Sequence, residues 1–168
     1  KCILFILPKN GCSSMKAQII ENLGMPKGPD FPKDVHNPQL YPYPFSAIDE
    51  LNDTYRDYFT FCIIRNPWDR LVSCFKDKIR PADYNTERYN NGVANPLRAN
   101  SPLFFGGMSF EQFVDVVCTI PDSKSEHHFT GQLYQLSDPS GHLLVDYIGT
   151  LETLGDDLDF IAQRTGFP

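Results

Sequence analysis

The stretch that decides the fold reads Ile3-Leu4-Phe5-Ile6-Leu7-Pro8-Lys9-Asn10-Gly11-Cys12-Ser13-Ser14-Met15-Lys16. Its unbroken apolar first part has the length of a buried strand and ends at Pro8. Apolar residues at helical spacing then begin at Met15 and continue to Leu23. Residues 9–14 therefore connect a strand to a helix N-terminus, where backbone N–H groups and the helix dipole favour an anion.

The side chains of this loop are typical of a phosphate cradle. Lys9 supplies an ammonium, Gly11 lets the backbone approach a ligand, and Ser13 and Ser14 add hydroxyl donors. The pattern G-x-x-x-x-G-K-[ST] is absent. An ordinary strand–turn–helix corner, with Ser13 or Ser14 as N-cap, remains the alternative on this loop alone.

A second segment favours the phosphate interpretation. The apolar run Thr60-Phe61-Cys62-Ile63-Ile64 is followed directly by Arg65-Asn66-Pro67-Trp68-Asp69-Arg70-Leu71-Val72-Ser73. Asn66 suits a helix cap and Pro67 the first helical position, so Arg65 ends a buried strand at the edge where open α/β sheets bind ligands. A guanidinium and a hydroxyl at that edge, from Arg65 and Ser73, suit a terminal phosphate.

These residues carry a resemblance to a known family. The patterns P-K-x-G-C-S-S-x-K and I-I-R-N-P-W-D-R-L-V-S-C-F resemble the two cofactor signatures of sulfotransferases that use 3′-phosphoadenosine-5′-phosphosulfate, in their carbohydrate branch, which includes bacterial members. The runs H-F-T-G-Q at 128–132 and D-Y-I-G-T-L-E at 146–152, with Asp157-Leu158, resemble a third run of that branch. The resemblance spans nearly the whole chain.

The resemblance implies a donor site and a reaction. Lys9 would act on the leaving oxygen, and Asn10, Gly11, Cys12, Ser13 and Ser14 would hold the 5′-phosphate. Arg65 and Ser73 would hold the 3′-phosphate. The implied reaction is in-line transfer of a sulfuryl group to a hydroxyl acceptor, a sugar in this branch, leaving 3′-phosphoadenosine-5′-phosphate and needing no metal.

The acceptor hydroxyl needs a base, and histidines are the natural candidates. The family's base often lies between the two cofactor signatures, where His36 is the only histidine. His128 matches a family histidine on the acceptor side and is the competing candidate, with Glu126 and His127 beside it. His142 is expected to be solvated.

Two other functions remain open on the sequence. A P-loop-type kinase or nucleotidase lacks support from a G-K-[ST] element or from an apolar strand that ends in a metal-binding aspartate. A nucleotide-binding module that kept the fold without catalysis is the third hypothesis. Magnesium dependence would favour the second function, and binding without turnover the third.

Charge and composition restrict the partners. Residues 1–80 hold 11 Lys/Arg and 9 Asp/Glu, whereas residues 81–168 hold 4 and 12. The basic half therefore carries the candidate phosphate-binding residues, and the acidic remainder argues against a nucleic-acid partner.

No apolar run approaches 18 residues, so no membrane span is expected in this chain. The five cysteines suggest buried thiols in a reducing compartment. We expect a cytoplasmic location in a bacterium, or a Golgi lumen location if an N-terminal anchor was removed.

The order of strands and helices predicts an α/β fold, P-loop-like, with a central parallel sheet flanked by helices in three layers. Strands are expected at 2–7, 59–64 and 143–148, and helices at 14–23, 46–56, 67–80, 109–119 and 153–166. We expect residues 1–168 to form one domain that lacks the family's C-terminal helical stretch. Residues 25–46 and 81–108 are expected to be irregular. The second segment, with its asparagines and aromatic residues, is predicted to form an acceptor-side loop or else a plain surface loop.

Two positions depart from the family pattern. Thr150 stands where relatives carry Arg or Lys, which removes a cation from that position. Gly131 replaces the usual proline of the His128 run, and we expect it to loosen that turn.

Overall fold

The computed structural model describes residues 1–37, 39–41, 55 and 57–166. The chain folds into two compact units, one of residues 1–64 and 143–168 and one of residues 65–142. Among the described residues, no helix is both long and apolar enough to cross a lipid bilayer.

The first unit is built on a three-stranded parallel sheet. Its strands are β1 (Cys2–Phe5), β2 (Phe59–Ile64) and β5 (Tyr147–Thr150), in the order β1-β2-β5. The central strand pairs on both sides, so Cys62 and Ile63 are fully buried. The predicted α/β class with a central parallel sheet is confirmed.

Two helices of this unit share one core cluster with the sheet. Helix α1 (Cys12–Asn22) contributes Met15 and helix α6 (Leu154–Thr165) contributes Ile161, and both pack with Phe61 and Ile63. Ile20, on another side of α1, packs instead on Val35 and Tyr41. The described residues of the predicted irregular segment 25–46 contain no helix or strand, as expected. The helix predicted over 46–56 lies outside the described residues, except for Tyr55.

The second unit is mainly helical. It holds α2 (Pro67–Lys78), β3 (Tyr89–Asn90), β4 (Val93–Ala94), α3 (Asn95–Asn100), α4 (Phe110–Cys118) and α5 (Gln132–Gln135). Local signals set the helix starts: Asn66 Oδ1 accepts from the Trp68 and Asp69 N–H groups, and Ser109 and Gln112 form the predicted capping box. Its core comprises Cys74, Ile79, Val93, Leu97, Phe104, Met108, Phe113 and Phe129.

Segment 81–108 is more regular than expected. It folds into an antiparallel β3–β4 hairpin followed by α3, and it supplies four buried residues of the core: Val93, Leu97, Phe104 and Met108. The sequence did not reveal this hairpin because each strand has only two residues, too few for an alternating pattern.

The run of residues 146–157 locks β5 in place. Asp146 Oδ2 accepts from the Thr60 N–H and the Thr60 hydroxyl, both at 2.8 Å. Gly149 leaves room beside β2, because a Cβ there would lie 2.8 Å from Ile63 Cδ1 and 2.9 Å from Asp157 Cβ. The strand begins at Tyr147, four residues later than predicted; just before it, Asp146 bonds to Thr60 of β2 through both its side chain and its backbone N–H, which donates to Thr60 O at 2.9 Å.

The Asp157 carboxylate joins β5 to α6. It accepts from the Thr150 N–H at 2.9 Å, from the Thr153 hydroxyl at 2.7 Å and from the Tyr147 hydroxyl. Burial by itself would raise the pKa of Asp157, but the hydrogen bonds from Tyr147, Thr150 and Thr153 outweigh it and hold this pKa below 3.8. Thr150 caps the short 3₁₀ turn Leu151–Thr153.

We predict that Asp157→Asn lowers the free energy of unfolding at pH 7 by about 1 kcal/mol, because hydrogen bonds to an ionised carboxylate are lost. The Asp157 pKa is lower in the folded chain, so the stabilisation is complete above about pH 5 and fades as pH falls through the folded pKa. The difference between wild type and variant should therefore shrink in acid, as measured by urea unfolding at several pH values. Asp156→Asn, at the exposed neighbouring position, is the control and should change stability by less than about 0.5 kcal/mol. A difference that does not depend on pH would contradict this role.

Candidate functional site

The loop after β1 is pinned to the end of β2. The ladder between the two strands ends at the pair Phe5–Cys62, and the buried Asn10 Nδ2 donates to the next carbonyl, Ile63 O, at 3.0 Å. Lys9 and Gly11 both have left-handed backbones, with φ of 70° and 75°. A non-glycine residue in this conformation is uncommon and is found where the surroundings fix it, often at functional sites.

The N-terminus of α1 suits an anion. Gly11, and neither serine, is the N-cap, so Ser13 and Ser14 lie within the first turn and are exposed. The first-turn N–H groups have no intrahelical acceptor, and this turn contains no acidic residue. Backbone donors, two hydroxyls and the positive end of the dipole therefore fit a phosphate group at this place.

A buried lysine stands one turn further along α1. Lys16 is 6% exposed, and burial lowers the pKa of its ammonium, with a smaller opposing electrostatic effect from Cys12. Its Nζ lies 3.2 Å from Nδ1 of His36, while Nε2 of the same ring lies 2.8 Å from Ser13 Oγ. A protonated Lys16 donates to Nδ1, so Nε2 carries the ring proton and donates to Ser13 Oγ. The Ser13 hydroxyl proton is then available to a bound anion.

Arg65 follows β2 directly, and a side-chain amide holds its backbone. The Arg65 N–H donates to Gln132 Oε1 at 3.0 Å, and Gln132 Nε2 donates to the Arg65 carbonyl at 2.8 Å. Ser73 lies two turns into α2 and, like Arg65, is half-buried.

The segment that carries Gln132 is held by a buried arginine. Arg70 is 4% exposed, and its guanidinium donates to the carbonyls of Thr130 at 2.8 Å and His127 at 3.0 Å. Gly131, expected to loosen this turn, instead donates its N–H to Asp122 Oδ1 at 2.7 Å. A proline at this position has no N–H to donate, so the glycine adds a bond of its own.

His128 and Glu126 form a hydrogen-bonded pair. The buried Glu126 carboxylate lies 2.7 Å from His128 Nδ1 and 2.9 Å from His127 Nδ1, and it accepts from the His128 N–H at 3.0 Å. Burial would raise the pKa of Glu126, but the hydrogen bonds from the two histidines lower it well below its usual range. Burial lowers the pKa of His128; the Glu126 carboxylate opposes this shift and Lys78 adds to it. A neutral His128 that donates Nδ1–H to Glu126 presents a basic Nε2.

The same three residues form the group that could hold a metal ion in the described part of the chain. Their ligand atoms lie within 4.8 Å of one another. The direct imidazole–carboxylate hydrogen bonds account for this convergence without an ion.

The asparagines of segment 81–108 tie the loop together. Asn85 Oδ1 accepts from the Asn91 N–H, Asn95 Nδ2 donates to Glu87 O, and Asn100 Nδ2 donates to Lys124 O. Tyr84 and Phe105 of this segment are exposed.

Within each unit the structure brings together part of the predicted site. In the first, the loop of residues 9–14 meets His36; in the second, His128 meets Glu126. Three residues with clear structural roles were not predicted: Lys16, Arg70 and Gln132. All three lie inside the quoted signatures, and for Lys16 and Arg70 the available signal is a charge at a position that faces the core.

Comparison with known proteins agrees with these signatures. The chain matches the model of the sulfotransferase family over residues 1–168. It is 31% identical to carbohydrate sulfotransferase 11 of Mus musculus over 130 residues, covering 71% of this chain and 36% of the relative. It is 28% identical to carbohydrate sulfotransferase 10 of Xenopus laevis over 186 residues, covering 99% of this chain and 46% of the relative. No solved structure gives a significant match.

The chain spans between about a third and a half of the length of these relatives, at 36% and 46%. The match nevertheless includes the loop of β1, the Arg65 segment and the run 146–157, because it extends over residues 1–168. This chain belongs to the sulfotransferase family.

Proposed function

We propose that the chain transfers a sulfuryl group from 3′-phosphoadenosine-5′-phosphosulfate to a carbohydrate hydroxyl. One observation carries the proposal: the two quoted signatures lie at the carboxyl ends of neighbouring parallel strands, β1 and β2. That edge is where open α/β sheets place their ligands. The names of the relatives support a carbohydrate acceptor.

The donor supplies the sulfuryl group, and the chain holds its two phosphate ends. Residues 10–14 bind the 5′-phosphate through the first turn of α1 and the Ser13 and Ser14 hydroxyls. Lys9 stabilises the negative charge that develops on the leaving oxygen when the S–O bond breaks. Arg65 and Ser73 bind the 3′-phosphate. No metal is required in this scheme.

Of the two predicted bases, His128 is favoured by its hydrogen bonds. Glu126 accepts at Nδ1, and no hydrogen bond of the described residues involves Nε2, which can therefore take the proton of the acceptor hydroxyl. Both ring nitrogens of His36 are engaged, one with Lys16 and one with Ser13. His36 then orients Ser13, and segment 81–108 contributes to the acceptor side.

The direct test is nucleotide binding by calorimetry. We expect 3′-phosphoadenosine-5′-phosphate to bind more tightly than ADP or ATP, with or without magnesium, because ADP and ATP lack a 3′-phosphate. Preference for ATP with magnesium would instead indicate a kinase. Tight binding without transfer to any sugar acceptor would indicate a non-catalytic module.

We predict that Arg65→Ala weakens 3′-phosphoadenosine-5′-phosphate by about 10- to 150-fold, the equivalent of roughly 1.5–3 kcal/mol for a charge-assisted contact. The affinity for adenosine-5′-phosphosulfate, which has no 3′-phosphate, should fall much less. Calorimetry with both ligands tests this expectation, and equal weakening of the two would assign Arg65 another role.

We predict that Lys9→Ala lowers kcat by about 10²- to 10³-fold, as expected when one charge-stabilising donor is removed. The dissociation constant of the nucleotide should change less, because the interaction strengthens mainly in the transition state. Steady-state kinetics beside calorimetry measure both quantities. Near-normal turnover in this variant would rule out the leaving-group role.

We predict that His128→Ala lowers kcat by about 10²- to 10⁴-fold without weakening the nucleotide, as expected for a lost base. The acid limb of the wild-type pH–rate profile should lie below pH 6.5, because the pKa of His128 is lowered from that value and protonation removes the base.

The matched comparison is His36→Ala. Loss of the Ser13 contact should weaken nucleotide binding by about 2- to 10-fold and leave kcat within a few-fold of the wild-type value. The opposite pattern, with kcat lost in His36→Ala and retained in His128→Ala, would identify His36 as the base.

A further inference from the structure

Arg65 lies between the end of strand β2 and the start of helix α2. The ladder between β2 and β5 ends at the pair Ile64–Thr150, and the first hydrogen bond of α2 runs from the Arg70 N–H to Asn66 O. The N–H and carbonyl of Arg65 therefore belong neither to the β2–β5 ladder nor to the hydrogen bonds of α2. Backbone groups of this kind need other partners when they are withdrawn from water.

A single side chain satisfies both groups. The Gln132 amide accepts from the Arg65 N–H at 3.0 Å and donates to the Arg65 carbonyl at 2.8 Å, across 67 residues of sequence. Two opposed hydrogen bonds from one planar amide fix the orientation of the peptide groups on both sides of the Arg65 Cα. The orientation of these peptide groups determines the direction of the Arg65 Cα–Cβ bond. The amide therefore also fixes the direction in which the Arg65 side chain leaves the backbone.

The segment that carries Gln132 is held by a residue of the helix that follows Arg65. Helix α2 begins just after Arg65. The guanidinium of its buried Arg70 donates to the carbonyls of His127 and Thr130. Gln132 follows those residues at the start of α5. The chain from Arg65 through α2 and the segment 127–132 thus returns to Arg65, and Arg70 holds the segment that immediately precedes Gln132.

We propose that Gln132 is the positioning residue that holds Arg65 for the 3′-phosphate of the donor, an inference that rests on the proposed function. Gln132 does not touch the phosphate; it acts through the Arg65 backbone. Its removal changes selectivity for a 3′-phosphate and leaves binding of the 5′-phosphate intact.

The chain offers a matched control on the same short helix. Gln135 Nε2 donates to the carbonyls of Thr130 at 3.0 Å and His127 at 3.3 Å, so its acceptors lie in its own segment and not at Arg65. Gln135→Met therefore disturbs the same segment with the same change of side chain. Gln132→Glu is the second test variant, because its carboxylate accepts from the Arg65 N–H but cannot donate to the carbonyl.

The experiment measures the affinities of 3′-phosphoadenosine-5′-phosphate and AMP by calorimetry and takes their ratio. We expect Gln132→Met to lower the ratio by about 5- to 30-fold, the range of coupling between contacting residues. Gln132→Glu should lower it too, and Gln135→Met should leave it within about twofold. In an Arg65→Ala background, Gln132→Met should cause little further loss. Amide exchange of Arg65 should be faster in Gln132→Met and close to wild type in Gln132→Glu, whose carboxylate still accepts from the Arg65 N–H.

The possible outcomes distinguish a failure of this inference from a failure of the proposed function on which it rests. A wild-type chain without preference for the 3′-phosphate would overturn the proposed function, and the inference with it. A normal preference in wild type that survives both Gln132 variants would overturn only the inference. Equal loss in Gln135→Met, or an undiminished effect in the Arg65→Ala background, would likewise show that Gln132 does not act through Arg65.

Discussion

The carboxyl end of β2 is the constraint on which the site depends. A central parallel strand has neighbours on both sides, but its hydrogen-bond ladders end where those neighbours turn away. The next backbone groups still need partners, and side-chain amides provide them: Asn10 for the Ile63 carbonyl and Gln132 for both groups of Arg65. Each amide lies in one of the quoted signatures: Asn10 fixes the loop after β1, and Gln132 fixes the backbone at Arg65.

This arrangement gives the third signature run a mainly structural meaning. Asp146 and Asp157 attach β5 to β2 and to α6, and Gly149 leaves the space that this approach needs. None of the three has to touch a ligand to play this structural role. Their effect on the site is indirect, because β5 keeps β2 in the centre of the sheet.

The two histidines illustrate how neighbours assign chemical roles. A carboxylate at Nδ1 leaves His128 with a basic Nε2, whereas an ammonium at Nδ1 makes the Nε2 of His36 a donor. The same side chain is thereby suited to accept a proton in one place and to orient the Ser13 hydroxyl in the other. Sequence position alone gives no access to this difference, since it depends on which charge faces the ring.

By itself the sequence determined the parallel α/β class, strand β2 to the residue, the Asn66 cap and the capping box at Ser109. These features rest on local patterns: apolar runs and cap residues at a helix start. Only the tertiary structure decided that Gln132 holds Arg65 and that His36 meets Lys16. Those pairs are 67 and 20 residues apart in sequence, and hydrogen bonds over such separations exist only after the chain has folded.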